Sequence, residues 1–220
     1  METSSFLPAL LLAAALPWAA PASADTIDWA NNLGKTNTAQ AQVGAGGGNW
    51  QAQSFTTDAA HPTLTTVTTL LSRTANATGT LNFYIYASTS NTPSSPVTQI
   101  GSLDIASQLT TSLANYTLSG LSLGLAPNTQ YFLVLGGVGL PALQTAYWGY
   151  TSDATGTGFP STYGNSFDGS TWSVALFPHY QWDPMQMQIQ GSDVPEPASL
   201  SLLGMGMVGW FVTRRRTMRR

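Results

Sequence analysis

Strict two-residue alternation, with helical periodicity hard to find, is the feature that most restricts what this chain can become. In Met185-Gln186-Met187-Gln188-Ile189-Gln190 every second residue is apolar, and Leu81, Phe83, Ile85 and Ala87 share one face of segment 80–87. Successive side chains of a strand point to opposite faces, so both segments read as half-buried strands, with Met185, Met187 and Ile189 inward. Tyr131-Phe132-Leu133-Val134-Leu135 is apolar throughout, as a central strand covered on both faces must be. Less regular strands are expected near 50–57, 63–72, 97–103, 114–119, 145–151 and 171–177. Nine short strands with Gly, Pro, Asn and Asp between them predict an all-β body: one jelly-roll-like β-sandwich over 50–191, without helix outside the two apolar termini.

The punctuation agrees. Asp168-Gly169, set between Phe167 and Trp172, signals a hairpin. Ala126-Pro127-Asn128-Thr129 reads as a turn feeding the central strand. Residues 91–96, with Pro93 and Pro96, read as a loop held extended. Residues 25–49, glycine-rich at positions 44 and 46–48, are expected to form a flexible N-terminal segment.

Charge is sparse and unevenly placed. Charged residues make up 8% of the chain, against about 25% in ordinary soluble domains. Between Asp25 and Asp193, Lys35 and Arg73 face eight aspartates and no glutamate, leaving that body at −6. Such a surface excludes a basic nucleic-acid binder. The absence of cysteine excludes a disulfide scaffold, a zinc-thiolate site and a cysteine nucleophile.

Candidate chemistry is thin. His61 and His179 are the only histidines, which rules out a three-histidine metal site. His179 and Asp183 fall on one side of an extended strand, but two ligands are too few for zinc. No P-loop or H-E-x-x-H motif occurs. Glycoside hydrolysis would need two carboxyl groups across the bond. Asp58, Asp153 and Asp168 instead stand beside small polar residues or Gly, where aspartate commonly builds turns. No catalytic residue, metal site or cofactor is therefore assigned. Aromatic residues leave more room: Tyr84 and Tyr86 lie opposite the Leu81/Phe83/Ile85 face, and with Trp148 and Trp172 they are candidates for stacking sugar rings. Packing against other parts of the fold would use the same residues.

The two ends read as addresses. Residues 6–16, FLPALLLAAAL, followed by Ala22-Ser23-Ala24, form a signal peptide over 1–24, to be cleaved by signal peptidase before Asp25. Residues 192–197 form a linker containing Pro195-Glu196-Pro197. Residues 198–213 are apolar or small and form a transmembrane helix; sixteen residues span roughly 24 Å of a ~30 Å hydrocarbon core, with snorkelling arginines covering the difference. Arg214, Arg215 and Arg216 open a basic tail over 214–220, which the positive-inside rule keeps cytoplasmic. Gly204 to Gly209 satisfies G-x-G-x-x-G, yet only eleven residues follow it, too few for a dinucleotide fold.

Pro-Glu-Pro, an apolar span and terminal arginines, in that order, resemble the PEP-CTERM sorting signal. The resemblance implies an exosortase substrate, exported across the inner membrane of a Gram-negative bacterium that makes exopolysaccharide. It further implies transient membrane anchoring, then a place at the cell surface or in the matrix. The body is similar to the choice-of-anchor R domain over roughly 48–191. That resemblance is carried by Trp50-Gln51-Ala52-Gln53-Ser54-Phe55-Thr56-Thr57, the 81–87 strand, residues 125–135, Tyr147-Trp148 and Asp168-Gly169-Ser170-Thr171-Trp172; it implies an extracellular all-β module with no catalytic residues. The functional expectation is a non-enzymatic, biofilm-associated surface or matrix protein. A lectin-like carbohydrate-binding module is the alternative, and an Asp- or Ca²⁺-dependent glycan hydrolase a weaker one.

Overall fold

The computed structural model describes residues 25–44, 49–138, 145–153, 155–158, 162–176 and 183–193, all within the unit Ala24–Val194. The expected signal peptide, Pro-Glu-Pro linker, membrane span and basic tail lie outside the described residues. Among the described residues no helix is long and apolar enough to cross a membrane.

In chain order the body runs β1 (Thr26–Asn31), β2 (Ala39–Val43), β3 (Trp50–Thr56), β4 (Thr63–Arg73), β5 (Thr80–Thr89) and β6 (Thr92–Asp104). There follow α1 (Ile105–Gln108), β7 (Ala114–Leu118), β8 (Leu123–Gly124), β9 (Gln130–Val138), β10 (Ala146–Tyr150), β11 (Thr162–Ser166), β12 (Trp172–Leu176) and β13 (Met187–Ser192). Each of the nine expected segments carries a strand. They pair antiparallel in two sheets, one ordered β1-β13-β4-β10-β2 with β7 and β8 also on β4, the other β12-β11-β3-β9-β5-β6. The fold is an all-β sandwich, with more strands than the eight of a jelly roll.

Alternation explains the core. Met187 and Ile189 of β13, Leu64, Val67 and Leu71 of β4, and Trp148 of β10 meet Phe55 of β3, Leu81, Phe83 and Ile85 of β5, and Leu133 and Leu135 of β9 in one buried cluster. Each such side chain stabilises the fold by about 1.5–3 kcal/mol relative to exposure. Strand β9 is apolar on both faces for a reason the structure makes plain. Leu133 and Leu135 enter the inter-sheet core, while Phe132 and Val134 join a second cluster on the outer face of the same sheet.

Four expectations are corrected. Residues 25–44 are not a flexible segment: β1 and β2 are strands of the first sheet, and Trp29, Ala30 and Val43 are buried in the main core. Trp29 stacks on Phe55 at a centroid distance of 5.9 Å and covers Gly191, where a Cβ would fall 2.1 Å from its indole. Residues 92–96, expected as part of an extended loop, belong to strand β6. Ser90 and Asn91, at φ 52° and 61°, turn β5 into β6, and both prolines sit on β6, an edge strand, where proline is tolerated in sheets. A short helix does occur outside the termini. Asp104 caps α1 by accepting from Ser107 N–H, and Ile105 and Leu109 are buried in the main core. Finally, Gln186 is buried although its alternation points it outward. The β1–β2 connection folds over it: its amide donates to Lys35 O at 2.8 Å and accepts from Asn37 Nδ2 at 2.9 Å.

Candidate functional site

The outer face of the second sheet carries an aromatic row. Alternation sends Trp50 of β3, Tyr84 and Tyr86 of β5 and Trp172 of β12 to the face opposite the core. Trp50 and Tyr84 lie 5.4 Å apart, Tyr84 and Tyr86 meet edge-on at 6.2 Å, and Tyr86 meets Trp172 edge-on at 5.8 Å. Offset and edge-to-face contacts at these distances are the favourable arrangements of aromatic rings. Glycine makes room for the row. A Cβ on Gly136 would fall 2.2 Å from the Trp50 ring, and one on Gly169, whose φ is 74°, 3.0 Å from it. Burial raises the Tyr86 hydroxyl above its ordinary pKa, with neighbouring Tyr84 adding to the shift, so it stays protonated and donates to Gly169 O at 3.3 Å.

The four aromatic candidates therefore divide. Tyr84 and Trp172 are half-exposed members of the row, whereas Tyr86 is 5% exposed and serves as their support. Trp148 belongs to the other side of the molecule. It is fully buried between the sheets, with Nε1 donating to Gln186 O at 2.9 Å, and it presents no ring face for a sugar.

Beside the row, the β11–β12 hairpin opens a cleft of about 530 Å³ lined by Asn49, Asn165, Phe167, Asp168, Thr171 and Trp172, among others. The hairpin loop, 167–171, is held by its own polar groups. Asp168 Oδ1 accepts from Thr171 N–H and Ser170 N–H, both at 2.9 Å, and from the Ser166 hydroxyl at 3.0 Å. Those donors, Thr171 N–H foremost and the two Ser170 contributions next, hold its carboxyl well below the usual carboxylate range. Phe167 is 82% exposed, the most exposed large apolar side chain among the described residues. Sequence reasoning passed over Phe167, Asn49 and Asn165. One signal was present: an aromatic residue directly before Asp-Gly sits in a turn, where it has no core to enter.

The other charged groups are engaged in structure. Asp153 accepts from Thr155 N–H at 2.8 Å and pairs with Lys35 at 3.3 Å. Asp58 accepts from Ala60 N–H at 2.8 Å and from His61. His61 reaches Asp58 through Nδ1 at 2.7 Å and Asp193 through Nε2 at 3.4 Å. The Asp58 hydrogen bond raises the His61 pKa above its ordinary 6.5 despite opposing desolvation, and the charges of Asp193 and Asp25 raise it further. Among the described residues no three acidic or histidine side chains gather as a metal cluster. His179, Ala22, Ala24, Pro195, Glu196, Pro197 and the three arginines lie outside the described residues.

Because β1 pairs with β13, Thr26 stands opposite Ser192, and Asp193 N–H reaches Asp25 O at 3.4 Å. The expected cleavage point and the start of the sorting segment thus leave the same end of one strand pair. No curated protein matches the chain. Residues 193–216 match the PEP-CTERM protein-sorting motif, which marks this chain as an exported protein targeted to exosortase.

Proposed function

We propose that the protein is a non-catalytic component of the cell surface or extracellular matrix, released or attached through exosortase and working within the polysaccharide layer. The observation that carries this reading is the sorting motif at 193–216 joined directly to a β-sandwich whose last strand ends at Ser192. The likeness of the body to the choice-of-anchor R module supports display through a C-terminal anchor. Intact-mass analysis of the exported form is the test. The mature chain is expected to begin near Asp25 and to have lost the apolar span after cleavage near 195–198. A species retaining Trp210 and the arginine tail outside the inner membrane would overturn the processing, and turnover of a polysaccharide would overturn the non-catalytic reading.

Carbohydrate binding is a second reading, of a different class, and one observation favours it. Trp50, Tyr84 and Trp172 form a partly exposed aromatic row beside a cleft of polar and aromatic side chains. Flat aromatic faces with hydrogen-bonding groups at their edge suit sugar rings, which have apolar faces and hydroxyl rims.

A further inference from the structure

We infer that the cleft at the β11–β12 hairpin binds an uncharged saccharide, with Phe167 and Trp172 as stacking surfaces and the amides of Asn49 and Asn165 as the groups that read its hydroxyls. This deepens the carbohydrate-binding reading above and rests on it.

Three features of the cleft point the same way. First, its volume of about 530 Å³ falls within the roughly 300–1,000 Å³ typical of small-ligand sites. Second, its hydrogen-bonding capacity is unspent. Among the described residues the side-chain amides of Asn49 and Asn165 and the Thr171 hydroxyl make no hydrogen bond, and the shielded Trp172 Nε1–H has no acceptor. Asp168 Oδ1 is saturated by loop donors, while Oδ2 remains able to accept. An amide offers two donors and one acceptor oxygen, the combination that satisfies vicinal hydroxyls. Third, the exposed Phe167 is carried on a loop that is already braced. Asp168 ties 166–171 together from within, and Gly169 rests against Trp50 and accepts from Tyr86. A platform ordered in advance loses less entropy when a ligand arrives.

Charge selects among saccharides. The body has one lysine and one arginine, and both are occupied elsewhere. Lys35 pairs with Asp153, and Arg73 donates to the carbonyls of Leu109, Thr74 and Ala75. Neither lines the cleft, whereas the Asp168 carboxylate does. A uronate, sulfate or phosphate would enter a site with a like charge and no counter-charge. Neutral hexose polymers meet no such cost.

The test is a titration of the full chain, in mild detergent, with neutral gluco- and manno-oligosaccharides and with uronate oligomers, read by calorimetry and by tryptophan fluorescence. Neutral oligosaccharides are expected to bind and to perturb the fluorescence, with uronates at least tenfold weaker. Phe167→Ala is expected to weaken binding about tenfold while leaving the thermal midpoint unchanged, because the ring is exposed. Asn165→Ala is expected to weaken binding as well, and Val97→Ala, exposed on β6, to leave it intact. Equal binding by wild type and Phe167→Ala, preference for uronates, or no binding to either class would each overturn the proposal. If no sugar binds while both ends of the exported protein are processed, the cleft assignment falls and the surface-protein reading stands. If sugars bind but the ends are untouched, the reverse holds.

Discussion

Gly191 and Gly136 show how much of this fold depends on absent side chains. Each lies under an indole, Trp29 over Gly191 and Trp50 over Gly136, with no room for a methyl group. Overpacking of this kind costs about 1–3 kcal/mol. Gly191→Ala is expected to be the more damaging, because Trp29 is buried at 3% exposure while Trp50 is half-exposed and can shift. Gly124→Ala, with nothing within 4 Å of the new Cβ, is the control and should stay near neutral in urea unfolding. His61 makes a prediction about pH. Its folded pKa lies above 6.5, so the stability it contributes is complete below that value and is lost as pH rises through the folded pKa. Asp58 lies below 3.8 in the fold, chiefly through its hydrogen bond to His61; its share is present above 3.8 and is lost as pH falls through the depressed value. The wild-type thermal midpoint should therefore decline on the alkaline side of 6.5, and His61→Gln should flatten that decline. Parallel profiles for the two proteins would rule out this contribution of the His61–Asp58 pair.

Among the elements, β1 was the costliest omission from the sequence reading, and its cause is visible. The register with β13 shifts between Asp28 and Ala30, so Trp29 and Ala30 are adjacent and both buried. A bulge of this kind breaks the period-two signal on which strand recognition rests. In β2, Ala39, Ala41 and Val43 do alternate, but two alanines give a weak apolar face. Thr162-Tyr163-Gly164-Asn165-Ser166 of β11 has no apolar face, and α1 is too short to display a 3.6-residue period. The integration of β1 is testable. Trp29→Ala is expected to destabilise the body by about 3–5 kcal/mol, toward the lower end because Trp29 Nε1 has no partner to lose. A change below 1 kcal/mol in urea unfolding would restore the view of 25–44 as a loose segment.

For the whole molecule, the two sheets account for nearly all regular structure among the described residues. Far-UV circular dichroism of the exported form should accordingly be dominated by β-structure; substantial helix would contradict the sandwich. The pairing of β1 with β13 brings Asp25 and Asp193 together, and His61 stands beside Asp193 at 3.4 Å. The first residue of the expected mature chain and the first residue of the sorting motif therefore sit at one end of one strand pair, a relation that positions 25 and 193 could not reveal from the sequence.

Local pattern by itself determined the β-class of the body, the inward set Met185, Met187 and Ile189, and the two-faced burial of 131–135, because side-chain alternation is a property of each strand alone. The sorting signal was equally legible, since its recognition depends on a short contiguous stretch. Which aromatic residues stay near solvent was decided only by tertiary structure. Trp148 and Trp172 each stand in a strand beside polar or small neighbours, yet one faces the opposing sheet and the other faces outward. Periodicity assigns a side chain to one of two faces; whether another layer covers that face depends on segments far away in the chain. Here Gln186 of the distant C-terminal region accepts from Trp148 Nε1, while Trp172 packs on the outer cluster around Tyr86 and lines the rim of an open cleft.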